Sequence, residues 1–226
     1  MRIYAILKNL VPQRHRLVLK WKLFNKKINR DQWDAKNGDM WKNHRALMEL
    51  SWEELILKYP DYMKRVNFSV NHCQGRVLEI GCGIGNMTRW ISNRKAVSVI
   101  MATDLFEAAI IEIKKYKIPK VTSFRMGAEE LDFPKGTLFD TVVLCEILEH
   151  LYPDEEMRML GSIKQHIHPK TSFIISTPIG WLSDPYHTRG FSKQELIKHV
   201  QKHYGKPIEI DYASGYSQSI FGYFKK

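Results

Sequence analysis

An α/β protein built on one doubly wound, mostly parallel sheet is what this chain of 226 residues predicts, and three observations predict it. Short apolar runs alternate with stretches of helical spacing from about residue 75 onward, the pattern of successive β-α units. One of those runs, Arg76-Val77-Leu78-Glu79-Ile80, turns abruptly into alternating glycines at Gly81, Gly83 and Gly85, as a buried strand does when it feeds a ligand loop. The composition, 44% hydrophobic, is sufficient to bury one large core.

Taken in chain order, residues 1–30 form a basic arm. They hold nine Lys and Arg and no acid, leaving 26 basic residues against 24 acids in the remainder of a chain of net charge +11. Leu17, Trp21, Phe24 and Ile28 fall along one helical face there, although Leu19 and Leu23 interrupt the polar side. A basic amphipathic helix suits an anionic membrane surface; a lid with its cations in water and contact with nucleic acid phosphates are the alternatives. Residues 31–74 read as a helical cap rich in aromatics, with helical spacing over residues 46–57. Trp33, Trp41, Trp52, Tyr59 and Tyr62 serve either its packing or the wall of a pocket.

From residue 75 the spacing predicts strands near 76–80, 97–103, 120–125, 139–145 and 171–177, with helices near 86–93, 106–116, 154–167 and 192–203. Two last apolar stretches, 208–212 and 219–224, flank Ala213-Ser214-Gly215-Tyr216 and form an antiparallel hairpin. Met87-Thr88-Arg89-Trp90-Ile91 restores helical spacing after the glycines, which places free loop N–H groups at a helix start. Asp104, 19 residues beyond Gly85, ends the second strand. A carboxylate there accepts from both hydroxyls of a ribose, or else caps the helix starting near Phe106.

A dinucleotide fingerprint needs a third glycine where Asn86 stands. The form Glu79-x-Gly81-x-Gly83-x-Gly85 instead resembles the first motif of class I S-adenosylmethionine-dependent methyltransferases, whose loop passes under the methionine part of the cofactor. Gly127-Ala128-Glu129-Glu130-Leu131-Asp132-Phe133-Pro134 resembles the family's adenine-lining segment, with Gly127 where many relatives carry an aspartate. The run from Phe139 through Cys145-Glu146-Ile147-Leu148-Glu149-His150-Leu151 resembles the fourth motif. The resemblance spans residues 75–226 and implies a Rossmann-like, seven-stranded sheet of order 3-2-1-4-5-7-6, strand 7 antiparallel, behind the N-terminal helical extension. It also implies S-adenosyl-L-methionine held by Glu79, Gly81, Cys82, Gly83, Gly85, Asn86, Asp104, Leu105, Ala128, Glu129 and Cys145.

Glu146, Glu149 and His150 share a face if a helical turn begins at the end of strand 4, giving three ligands for Mg2+ or another divalent cation. His187 adds a fourth ligand or a base, and Glu146, His150 and His187 are the candidate catalytic residues. This group resembles two metal-assisted branches, the ubiquinone-pathway O-methyltransferases and the small-RNA 3′-terminal 2′-O-methyltransferases. In many metal-free relatives the Glu-His pair only orients a loop. The expected activity is O-methylation of a small or lipid-linked acceptor, such as a quinone precursor, a glycan or a secondary metabolite. An RNA ribose 2′-O-methyltransferase and a non-catalytic cofactor-binding module are the rival readings.

Cys73, Cys82 and Cys145 are scattered and form no C-x-x-C pair, which points to a reducing compartment. No apolar run approaches a membrane span, and residues 1–10 are too interrupted for a secretory segment. A cytoplasmic protein, peripheral at the inner membrane face through residues 1–30, is the expectation.

Overall fold

The computed structural model describes residues 40–180, 187–213 and 219–225. The basic arm, the start of the cap and the turn at Ser214-Gly215-Tyr216 lie outside the described residues. Among the described residues three helices precede the sheet: α1 (Met40–Met48), α2 (Trp52–Lys58) and α3 (Pro60–His72). The continuous helical spacing over residues 46–57 is therefore broken in two. The Ser51 hydroxyl accepts the Glu54 N–H while the Glu54 carboxylate accepts the Ser51 N–H, a reciprocal cap that restarts the helix. Pro60, lacking an N–H, then opens α3 where no donor is needed.

The sheet follows: β1 (Gly75–Ile80), α4 (Thr88–Ser92), β2 (Val97–Asp104), α5 (Glu107–Lys115), β3 (Val121–Arg125), β4 (Phe139–Cys145), α6 (Pro153–Lys164), β5 (Ile167–Pro178), α7 (Lys193–His203), β6 (Lys206–Ala213) and β7 (Ser219–Lys225). Strand order is β3-β2-β1-β4-β5-β7-β6, with β7 antiparallel to both of its neighbours, as expected. One boundary differs. The helix expected to reach residue 167 stops at Lys164, and Ile167 already pairs with Phe139 of β4, because Pro169 cannot continue a helix. A register shift between Phe139 and Thr141 absorbs that irregular entry.

Alternation along the strands divides the core into two layers. Leu78, Ile80, Val142, Leu144, Phe173 and Ile175 face one side, with Met159 and Ile163 of α6 and Leu196 and Val200 of α7. Val77, Val143 and Ile174 face the other, with Met63 and Val66 of α3, Ile91 of α4, and Ile110 and Ile113 of α5. Each such side chain contributes about 1.5–3 kcal/mol by leaving water, so these two layers dominate the fold's stability. Glu156 of α6 ties in α7: its carboxylate accepts from His199 Nε2 (2.6 Å), the Tyr204 hydroxyl (2.7 Å) and Arg189 Nη2 (2.6 Å). Strand order reverses between β1 and β4, so the carboxyl ends of β1, β2 and β4 diverge around a crevice.

Candidate active site

The glycine loop enters that crevice by a sequence of backbone angles closed to most side chains. Gly81, Gly83 and Gly85 have φ of +74°, +53° and +94°. A Cβ on Gly81 would lie 2.0 Å from Ile147 Cδ1, so this glycine lets the loop run beneath the end of β4. The Gly81 and Cys82 N–H groups donate to Thr103 O, and Gly83 N–H donates to Asp104 Oδ2 at 2.8 Å. Asp104 Oδ1 accepts from Phe106 N–H at 2.9 Å, so the buried carboxylate fixes both the loop and the turn into α5. A carboxylate oxygen has two lone pairs and accepts from more than one donor, so these bonds leave the group competent to receive a hydroxyl.

The resulting cleft encloses about 410 Å³. Of the residues expected to hold the cofactor, Glu79, Gly81, Cys82, Gly83, Asn86, Asp104, Leu105, Ala128, Glu129 and Cys145 all line it. Gly85 does not; it packs on the far side, where a Cβ would press on Ile113 and Ile118. Glu79 is 4% exposed, and its Oε2 has no hydrogen-bond partner among the described residues. Burial, augmented by the nearby Asp104 charge and opposed by the Thr88 hydroxyl, pushes its carboxyl up to about 7. An unsatisfied buried carboxyl lining a cavity is fitted to a positively charged guest. The lining as a whole is acidic: Glu79, Asp104, Glu129 and Glu146 against Arg65 as its sole Lys or Arg among the described residues, in a chain of net charge +11.

Beyond β4 the helical turn begins only at Leu148, as a single 3-10 turn to His150, because Glu146 has a left-handed backbone with φ of +57°. Glu146 is thereby left out of the group that Glu149 and His150 form. Its Oε1 pairs with Arg65 Nη1 at 2.8 Å and accepts from the Ser176 hydroxyl at 2.9 Å. The structure instead brings together Glu149, His150 and His187, with one ligand atom of each within 4.8 Å of the others. Of these, His150 lines the cleft and is partly exposed, while Glu149 and His187 are buried behind it. The His150 and His187 rings meet edge to face at 4.7 Å, and Glu149 Oε1 lies 4.0 Å from His150 Nε2. Burial and the Glu146 charge push the Glu149 carboxyl well up from its ordinary value, and Thr177 donates to its Oε2. His187 is delivered by a staple: Thr188 donates to Glu149 O and Leu151 O, and Arg189 Nε donates to Leu148 O.

The cap adds His44, Leu47, Tyr62 and Arg65 to the lining, none singled out by motif. Arg65 had a signal nonetheless. It lies one turn from Tyr62 and from Ser69 on the buried stripe of α3, where a cation needs a partner. Asn86 of the loop meets His44 at 3.1 Å, and Arg89 donates to Leu47 O, Met48 O and Leu50 O, closing the C-terminal end of α1.

A seven-stranded doubly wound sheet with an acid-tipped β2, a thrice left-handed glycine loop and an acidic crevice defines a class I S-adenosylmethionine-binding enzyme fold. A family model described as a methyltransferase domain matches residues 44–206, and the chain belongs to that family: it is an S-adenosylmethionine-dependent methyltransferase. An uncharacterized methyltransferase of Bacillus cereus is 26% identical over 171 residues, 72% of this chain and 76% of that protein. Among solved structures, the N-methyltransferase NodS from Bradyrhizobium japonicum WM9 superposes with a TM-score of 0.62 at 13% identity, over 75% of this chain and 98% of that one. The Burkholderia thailandensis 1,6-didemethyltoxoflavin-N1-methyltransferase, solved with bound 1,6-didemethyltoxoflavin and S-adenosylhomocysteine, gives 0.59 at 18%, over 82% of this chain and 89% of that one. At such identities these two establish the fold alone.

Proposed function

We propose that the enzyme methylates a hydroxyl oxygen of a small or lipid-linked acceptor, such as a quinone precursor, a glycan or a secondary metabolite. The observation that carries this reading is His150, which faces the cleft and is backed by Glu149 and His187. When bound, S-adenosylmethionine supplies the electrophilic methyl group. Asp104 would grip the ribose hydroxyls and the Gly81–Gly85 loop would support the amino acid end. Leu105 and the segment at Ala128 and Glu129 would flank the adenine. Alignment of the acceptor and exclusion of water by the cap supply most of the rate. An oxygen acceptor must also lose a proton, and His150 is placed to take it.

The test is a screen of methyl acceptors, with label followed into lipid, small-molecule and RNA pools, run beside a His150→Gln variant. Label entering a hydroxyl compound, with a loss of about 100-fold or more in transfer by the variant and unchanged S-adenosylhomocysteine affinity, is the expected outcome. Label entering only amines, or full activity in the variant, would overturn it. The two N-methyltransferases above bear on fold alone and leave the acceptor atom to this experiment.

The three-residue cluster favours a second reading. Glu149, His150 and His187 fit a divalent ion as a mixed carboxylate and imidazole set, and Glu149 Oε1, without a hydrogen-bond partner among the described residues, supplies an open donor. Mg2+ or another cation held there would assist deprotonation, as in RNA ribose 2′-O-methylation. Transfer that persists undiminished after chelation would remove the cation. A lipid-linked acceptor is also what the basic residues 1–30 suit, through an anionic membrane surface; flotation with anionic liposomes, compared with a chain starting at Asp31, tests it. No helix among the described residues is long and apolar enough to cross a membrane.

A further inference from the structure

The described lining of the cleft holds one guanidinium, and it comes from the cap. Arg65 projects from α3 into the lining beside Cys145 and Glu146, and only one of its edges is engaged. Nη1 pairs with Glu146 Oε1, whereas Nε is buried without a hydrogen-bond partner among the described residues. A buried guanidinium N–H without an acceptor is unfavourable, and the edge to which Nε belongs is the one that meets carboxylates side-on. Glu146 is restrained on every side. Its N–H donates to Ser176 O at 2.9 Å, its Oε1 accepts from the Ser176 hydroxyl, and its backbone is held at φ +57°, a conformation a non-glycine residue adopts at a conformational cost. A strained carboxylate pinned by β5 therefore fixes the direction in which Arg65 points.

Among the other lining carboxyls, Asp104 is occupied by loop N–H groups and Glu129 by Arg158, so neither competes for Arg65. The same lining holds the glycine loop and Glu79, whose Oε2 has no hydrogen-bond partner among the described residues and suits an ammonium. An amino acid bound there offers its ammonium to Glu79 and its carboxylate to a cation. Arg65 is the one Lys or Arg that the described lining provides.

We propose that Arg65 reads the α-carboxylate of the bound cofactor, and that Glu146 is its positioning residue. The inference rests on the S-adenosylmethionine assignment, and makes helix α3 of the cap a part of the cofactor site. It also gives Glu146 a task on the cofactor side instead of a place in the histidine cluster.

Calorimetry with two probes tests it: S-adenosylhomocysteine, and 5′-methylthioadenosine, which keeps the nucleoside and sulfur but lacks the amino acid. The wild-type chain should prefer S-adenosylhomocysteine by at least about tenfold. In Arg65→Gln its affinity should fall by about ten- to a hundredfold, with 5′-methylthioadenosine unchanged within about twofold. Arg65→Lys, which keeps the charge and loses the fork, and Glu146→Gln, which loosens the guanidinium, should fall between the two. An unchanged preference in Arg65→Gln would overturn the proposal, and so would equal weakening of both probes, the mark of a merely structural arginine. Failure of the wild-type chain to bind either compound would instead strike the cofactor assignment itself.

Discussion

Gly127 departs from the pattern that many relatives show, and nothing steric requires the departure. A Cβ there would sit 3.6 Å from Leu105 Cδ1, an ordinary contact, and its backbone has no left-handed angle. Gly127→Asp should therefore be tolerated and give the adenine amino group an acceptor. S-adenosylhomocysteine affinity is expected to rise about three- to tenfold, the worth of one hydrogen bond near 1 kcal/mol. Calorimetry that shows equal or weaker binding would mean the adenine is already satisfied by its neighbours. Gly81 is the opposite case, fixed both by φ +74° and by Ile147 above it. The glycines were legible in the sequence because left-handed backbone demands that residue type, and Asp104 because an acid ends an apolar run 19 residues beyond Gly85. Asp104 fulfils part of the capping reading too, since its Oδ1 holds Phe106 N–H. Arg65 was legible only as a cation on the buried stripe of α3: no motif marks it, and its meaning comes from Glu146, 81 residues away in the chain.

Among the elements, the C-terminal end of α1 is held by a side chain of α4. Arg89 stacks over Trp90 at 4.3 Å and donates to three carbonyls at the end of α1, where a helix terminus leaves acceptors that its own N–H groups do not reach. Replacing it, Arg89→Ala, should free α1 at a local cost of about 1–3 kcal/mol, the penalty of leaving buried acceptors unmet. Amide hydrogen exchange read at residues 44–50 should accelerate while the strands stay protected. Uniform acceleration would mean that α1 opens only with the whole fold. Strands β1, β2 and β4 were legible because buried parallel strands are plain apolar runs. The start of β5 was hidden, since Ile167-His168-Pro169-Lys170 neither alternates nor forms such a run. The division of α1 from α2 had a visible cause in Ser51 and Glu54, overridden by an apolar periodicity that ran through the break.

At the scale of the whole molecule, the side of the sheet covered by α6 and α7 responds to acid through Glu156. Burial alone would raise the Glu156 carboxyl, but the hydrogen bond from His199, the Arg189 and His199 charges and the Tyr204 hydroxyl outweigh it and hold it at about 2. The native state thus binds fewer protons at this site than the unfolded chain, whose carboxyl titrates near 4.5. Its stabilisation is complete above that value and is lost as pH falls towards 2, by up to about 3 kcal/mol. Urea melts across pH 2–6 should show that slope in the wild type and a shallower one in Glu156→Gln; parallel slopes would assign the acid sensitivity elsewhere. The strand order was legible as a whole through the resemblance to the class I methyltransferases, with which the two apolar stretches of the terminal hairpin agreed. That order has a consequence for birth on the ribosome. Since β7 lies between β5 and β6, the hydrogen-bonding flank of β5 stays bare, and β6 has nowhere to attach, until residues 219–225 clear the exit tunnel. Every nascent chain therefore passes through a stage with an open, sticky edge of Phe173, Ile174 and Ile175, and a stall there would favour clumping over completion.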